Sequence, residues 1–130
     1  MPQVAFHVAA IFGLFHDSRR HNDDHDPEHG TRGAQALSES PIADALPASM
    51  LETLMTSCIL HDGGQVTRNP MMGLGWDADR SVLTRVGIEP DISFFSVVRE
   101  PDFIDFIASG LVVTSNPPSW EQIWEMAFTR

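Results

Sequence analysis

The chain has one cysteine, no tyrosine and no lysine; all eight of its Lys and Arg positions are arginine. A single thiol, Cys58, excludes an internal disulfide framework and any zinc finger built on cysteine pairs, and it fits a reducing, cytoplasmic setting. The missing lysine and tyrosine carry no functional reading. Long apolar runs are lacking too. None approaches the roughly 18 uninterrupted apolar residues of a membrane span, and Met1-Pro2-Gln3 lacks the charged start of a secretory signal. The apolar segment 4–15 ends in a histidine and an acid, which marks a buried helix rather than a span. Positive charge is scarce, and the formal net charge of −10 argues against an extended interface with a nucleic-acid backbone. A small anionic ligand is still compatible, because a metal cation and a few arginines reverse the field locally. With 130 residues the chain can close one hydrophobic core and form one domain.

What the chain does have is a set of polar residues at the ends of apolar segments: His16-Asp17, His29, His61-Asp62 and Asp77-x-Asp79. Burying an unpaired carboxylate or imidazolium is costly, so ligand-type residues placed repeatedly beside core-forming runs point to a shared partner. A divalent metal ion is the economical candidate. Histidine, aspartate and water suit Mn, Fe, Mg, Co or a catalytic Zn.

The hydrophobic pattern is helical throughout, so the expected fold class is all-α. Val4, Phe6, Val8, Ile11, Phe12, Leu14 and Phe15 surround a first helix on nearly all sides, as in a central buried element. Asp26-Pro27 predicts an N-cap followed by proline at the first helical position, opening a helix over 27–37 whose Gly33 and Ala36 offer a small packing face. Residues 38–47 read as a loop or short turn. In the next helix Met50, Leu51, Leu54, Met55, Cys58 and Ile59 recur at helical spacing, and His61 continues the line through Leu54 and Cys58 towards the core. A loop ending at Asn69-Pro70 leads into a helix over 71–86. Further helices are expected over 102–108 and after Ser119-x-x-Gln122, a capping box followed by Trp120, Ile123, Trp124, Ala127 and Phe128 on one face.

The 71–86 helix separates two carboxylates. At about 100° per residue, Met72, Trp76, Asp79, Leu83 and Val86 form one stripe, while Gly73, Asp77, Arg80 and Thr84 lie nearly opposite. Asp79 falls in the apolar stripe, where a charge needs compensation, and is the expected metal ligand. Asp77 is expected to be a hydrogen-bonding or surface group. The competing reading is an ion pair between Asp79 and an arginine inside the core.

In this order, Phe15-His16-Asp17-Ser18-x-Arg20, Asp26-Pro27-x-His29-Gly30, His61-x-Gly63-Gly64, Trp76-Asp77-Ala78-Asp79-Arg80 and Arg85-Val86-Gly87 resemble the HD-domain superfamily of metal-dependent phosphohydrolases, in particular bacterial HD proteins with an Asp-Pro-Glu-His-Gly loop. The resemblance covers 4–90. It implies an HD-like helical bundle whose His16, Asp17 and Asp79 hold a divalent ion, with His29 and His61 completing a second ion and Asp17 bridging. The family's first ligand is a histidine on a preceding helix, which this chain begins too late to contain, so the bundle is expected to be N-terminally shortened. His7 does not replace it: nine positions before His16 on one helix, it points about 180° away.

The resulting expectation is an HD-like helical core over 1–90 and a C-terminal extension over 91–130 packed on that core or on a second subunit. The implied activity is hydrolysis of a phosphomonoester or phosphodiester, nucleotides among the candidates, with Asp17, Arg20 and Arg80 as catalytic groups. The alternatives are an impaired HD protein that binds metal or a nucleotide or serves as an interaction module, and a binuclear iron oxygenase. Arg20, Arg32 and Arg80 either clamp a phosphate or pair with acids. His29 and His61 are either second-ion ligands or structural hydrogen-bonding groups, His21 and His25 are expected to be solvated, and Cys58 is expected to pack. The partner implied is a small phosphorylated molecule, with no membrane and no extended nucleic-acid interface. A homodimer is expected, because the first helix would expose apolar surface and the Trp120–Trp124 face is also adhesive. The competing outcome is a C-terminal helix folded back onto its own chain.

Overall fold

The computed structural model describes residues 2–98 together with Ser119 and Glu121. The helices expected over 102–108 and after Ser119, with Trp120 and Trp124, fall outside the described residues. Those described form helices and turns with no strand among them: α1 (Pro2–Phe15), α2 (His29–Ser38), α3 (Pro41–Ala45), α4 (Ala48–Leu60) and α5 (Pro70–Ser81), followed by 3₁₀ turns at Leu83–Val86 and Ile92–Phe94. The all-α expectation holds. No described helix is long and apolar enough to cross a membrane.

The main packing pairs are α2 with α4 and α1 with α5, and α4 also touches α1 and α5. Val8 and Phe12 of α1, Ala34 and Leu37 of α2, Leu54 and Cys58 of α4 and Trp76 of α5 form the core. Burial of each larger apolar side chain here is worth about 1.5–3 kcal/mol. The Trp76 indole N–H donates to the Ser57 carbonyl at 3.0 Å, so its polar edge is satisfied inside that core. Cys58 packs, and burial pushes its thiol up to about 12, far from a nucleophile's range.

The structure changes several local expectations. α1 is not buried all round: Ala5, Val8 and Phe12 line the core, while Val4, Phe6 and Leu14 are exposed, Leu14 by 60%. α2 starts at His29, and Asp26 does not cap it. The Asp26 carboxylate is already engaged by Arg32 at 2.5 and 2.6 Å and by the His21 N–H at 2.7 Å, which holds its pKa at about 2. The small face of α2 is Gly30 and Gly33 rather than Gly33 and Ala36. A Cβ at Gly30 would collide with the Cys58 carbonyl, and one at Gly33 with the Phe15 carbonyl, so both glycines set how closely α2 approaches its neighbours. The 38–47 loop contains the short helix α3.

α5 begins as its sequence directs, with the Asn69 side chain accepting from the Met71 N–H and Pro70 in the first turn. It ends earlier than the 71–86 pattern predicts. The Val82 N–H bonds back to the Asp79 carbonyl, three residues away, and the chain tightens into the 3₁₀ turn. Beyond it, residues 94–98 fold over the α5 face that the helical stripe left outside. Phe95 is fully buried there.

Candidate metal centre

Three imidazoles and two carboxylates converge where helix ends meet. His16 and Asp17 follow the last turn of α1, His29 opens α2, His61 caps α4 and Asp79 lies in the last turn of α5. His16 Nε2 is 3.3 Å from Asp79 Oδ1 and 3.6 Å from Asp17 Oδ2. The other Asp17 oxygen, Oδ1, is 3.3 Å from His29 Nε2 and 3.6 Å from His61 Nε2. The carboxylate of Asp17 thus faces His16 with one oxygen and the His29–His61 pair with the other.

Helix-end geometry aims the rings. Nδ1 of His16 lies 3.0 Å from the Phe12 carbonyl, Nδ1 of His61 lies 2.7 Å from the Cys58 carbonyl, and Nδ1 of His29 lies 2.5 Å from the Asp26 carbonyl. A carbonyl only accepts, so each Nδ1 carries a proton and Nε2 of each ring is the atom turned to the centre. His29 Nε2 and His61 Nε2 are 3.0 Å apart. Two lone pairs at that distance repel unless a proton or a cation lies between them. Stacking holds the rings further, with Phe12 parallel to His16 at 4.5 Å and His61 edge-on to His16 at 4.9 Å.

The electrostatics follow. His61 and then His16 and Arg20 hold the Asp17 carboxyl down at about 2, against the opposing effect of burial. Burial lowers the basicity of His16, but the Asp79 carboxylate, with Asp17 and the Phe12 carbonyl, outweighs it and raises the pKa above its ordinary value. Asp17 Oδ1 is buried without a hydrogen-bond partner.

The donor set fits a divalent ion. Ligand atoms of His16, His61 and Asp79 lie within 4.8 Å of one another, as do those of Asp17, His29 and His61. Around an ion with ligand bonds of about 2.1 Å, neighbouring donors are about 3 Å apart and opposed donors about 4.2 Å. Each group is of the size of one coordination sphere, the two sharing His61, and the orphaned Asp17 oxygen and the facing Nε2 atoms of His29 and His61 are what a cation would satisfy.

The five residues read from the sequence as metal ligands are brought together; the arginines divide. Arg20 Nη1 is buried without an acceptor in hydrogen-bond range, 3.8 Å from Asp17 Oδ1. Arg80 is a tie. Its guanidinium donates to the carbonyls of Phe94, His61 at 3.3 Å and Gln65 at 2.7 Å, and lies 5.3 Å from the Trp76 ring centre. In this geometry its Nη1 and Nη2 hold loop backbone beside His61. Arg32 pairs with Asp26, and His21 and His25 are exposed.

The two aspartates of α5 differ for a reason the helical stripe did not supply. Asp77 is the more buried, 2% exposed, and accepts from the backbone N–H groups of Ser96, Val97 and Val98 at 2.6, 2.7 and 2.8 Å. Asp79, with its side chain 21% exposed, is the one that reaches His16. Sequence reasoning also missed the three carbonyls that orient the rings. Their signal was the position of each carbonyl, three or four residues before its histidine, at or beside a helix end. Asp62, with Oδ2 3.7 Å from His29 Nδ1, was singled out only as the partner of His61.

The centre opens into a cavity of about 460 Å³ lined by Asp17, Arg20, His61 and Asp79, with Leu83, Val86, Ile88 and Phe94 as an apolar wall. Comparison with protein-family models, with curated proteins and with solved structures finds no match to this chain.

Proposed function

We propose that this chain is a metal-dependent phosphohydrolase of the HD-domain type, acting on a phosphate ester. The observation that carries the reading is the convergence of His16, Asp17, His29, His61 and Asp79, with each imidazole Nε2 turned inward, beside a cavity lined by Asp17, His61, Asp79 and Arg20. As the resemblance implies, His16, Asp17 and Asp79 would hold one divalent ion and His29 and His61 a second; the atoms that lie together are those of His16, His61 and Asp79 and those of Asp17, His29 and His61, a division that differs at Asp17 and His61. The mixed imidazole and carboxylate set favours Mn, Fe, Co or Zn over Mg. A divalent ion there supplies Lewis acidity and makes water a competent nucleophile at neutral pH. In hydrolysis the water oxygen forms the new bond to phosphorus, the ester P–O bond breaks, and the leaving alcohol departs with a proton. Arg20 donates to the phosphoryl oxygens, where negative charge is concentrated. Arg80 keeps the His61 loop in place, and Phe12, Asp26 and Cys58 keep the rings aimed.

Elemental analysis of protein purified without chelator, followed by phosphate release from a panel of phosphate esters, tests this. Stoichiometric metal with turnover abolished by chelator is expected. Absence of bound Mn, Fe, Co or Zn after incubation with each would overturn it. Bound metal without turnover of any ester would leave the binding-module alternative.

A further inference from the structure

The cavity in front of the candidate metal centre is acidic out of proportion to the rest of the molecule. Residues 2–98 contain thirteen carboxylate side chains, and seven of them line this one cavity. Acid spread evenly over a negative surface would not collect in that way. Asp17 and Asp79 belong to the centre itself, Asp62 lies 3.7 Å from His29 and Asp23 3.9 Å from Arg20, which leaves the exposed Asp24, Glu89 and Asp91 for the mouth. Against these stand Arg20 and Arg80, and Arg80 is already tied to three carbonyls. One divalent ion cancels Asp17 and Asp79, and a second leaves the lining at about −1, seven carboxylates against two arginines and four metal charges, so the cavity stays net negative with the centre loaded.

The two ends of the cavity ask for opposite charges. At the inner end the partly exposed Arg20 guanidinium lines the cavity, paired only loosely with Asp17 at 3.8 Å and Asp23 at 3.9 Å, so that it has donors for a phosphoryl group. At the mouth, carboxylates surround an apolar wall in which Val86, Ile88 and Phe94 are each about half exposed. An aromatic face among carboxylates attracts an ammonium group twice over, through the ring quadrupole and through direct charge.

We propose that the molecule taken here is a small zwitterionic phosphate ester, with its phosphoryl group at Arg20 and the metal centre and an alkylammonium group at the mouth against Phe94, Glu89 and Asp91. The inference rests on the hydrolase reading above and narrows its substrate class. It disfavours nucleoside di- and triphosphates, whose several negative charges would meet the carboxylates of the mouth. A cavity of about 460 Å³ suits a molecule of that size.

The test uses the full chain loaded with Mn, with phosphocholine and glycerol 3-phosphate as probes, read by phosphate release and by calorimetry. Phosphocholine is expected to show kcat/KM at least about tenfold above glycerol 3-phosphate. The ratio is expected to fall to near one in a Glu89→Gln, Asp91→Asn variant, where Asn keeps an oxygen for the Ser93 N–H that Asp91 now accepts. Turnover of both esters with equal or reversed preference overturns this inference and leaves the hydrolase reading standing. If neither ester turns over, the calorimetric Kd ratio decides: tighter phosphocholine supports the cavity assignment and sinks hydrolysis of these esters, while equal affinities, or no binding of either, overturn the inference. A preference that survives in the double variant overturns the part assigned to Glu89 and Asp91.

Discussion

Asp77 and Asp79, two residues apart on α5, are expected to fail in opposite ways when each is changed to Asn. The Asp77 carboxylate takes three backbone N–H groups, one on Oδ1 from Ser96 and two on Oδ2 from Val97 and Val98. An amide has a single oxygen, so in either orientation its NH₂ faces at least one of those donors. One bond to a charged acceptor is lost and the others weaken, a cost of about 3 kcal/mol when hydrogen bonds to charged groups are worth about 1.5–3 each. In a domain of this size that lowers Tm by more than about 10 °C. Asp79→Asn leaves an oxygen for His16 in a partly solvated setting, so chelated protein should change by less than about 1 kcal/mol. Its cost falls on metal. Partners one step removed from a metal typically change affinity about 10–100-fold, so removing a direct ligand should cost at least that. Thermal melts in chelator and elemental analysis after metal loading read the two effects separately. An Asp77→Asn protein that melts like the parent but no longer holds metal would refute the assignment, as would an Asp79→Asn protein that retains full occupancy.

The remaining expectations test the support around the centre. Gly30→Ala should destabilise by about 1–3 kcal/mol and weaken metal binding, because the added methyl meets the Cys58 carbonyl that orients His61; unchanged affinity in the folded variant would separate the two helices' packing from the site. The raised pKa of His16 makes metal-free protein lose stability as pH rises: the contribution is complete below 6.5 and disappears as the pH passes the raised folded value. Metal needs His16 deprotonated, so the Tm gain on loading should be larger at pH 8 than at pH 6, and the reverse order would sink the ligand assignment. Asp17 adds a stabilising contribution present above 3.8 and lost as pH falls through about 2, visible as part of the acid transition and absent from it in Asp17→Asn. With Val4, Phe6 and Leu14 of α1 each exposed, a homodimer is the expectation that light scattering over a concentration series checks; a monomeric mass at high micromolar concentration counts against it.

The sequence by itself determined the helical class, the existence of the four longer described helices and the identity of the clustered residues. Each of those is a local property. Apolar periodicity marks a helix, Asn69-Pro70 starts one, and a histidine at a helix end is aimed by a carbonyl one turn back. Tertiary structure decided what periodicity does not encode. Trp76 and Asp79 share a stripe on paper, yet Asp79 stays partly exposed while the Asp77 side of α5 is sealed as well as the Trp76 side, because residues 94–98 return across it and their N–H groups need the Asp77 carboxylate. That contact spans about twenty residues of chain, beyond any helical repeat. Arg80 meets loop backbone through the same return, since Phe94 brings its carbonyl within reach only in the folded chain. The meeting of His29 and His61 likewise depends on how closely α2 can approach α4, and Gly30 permits that approach because it has no Cβ to strike the Cys58 carbonyl opposite it.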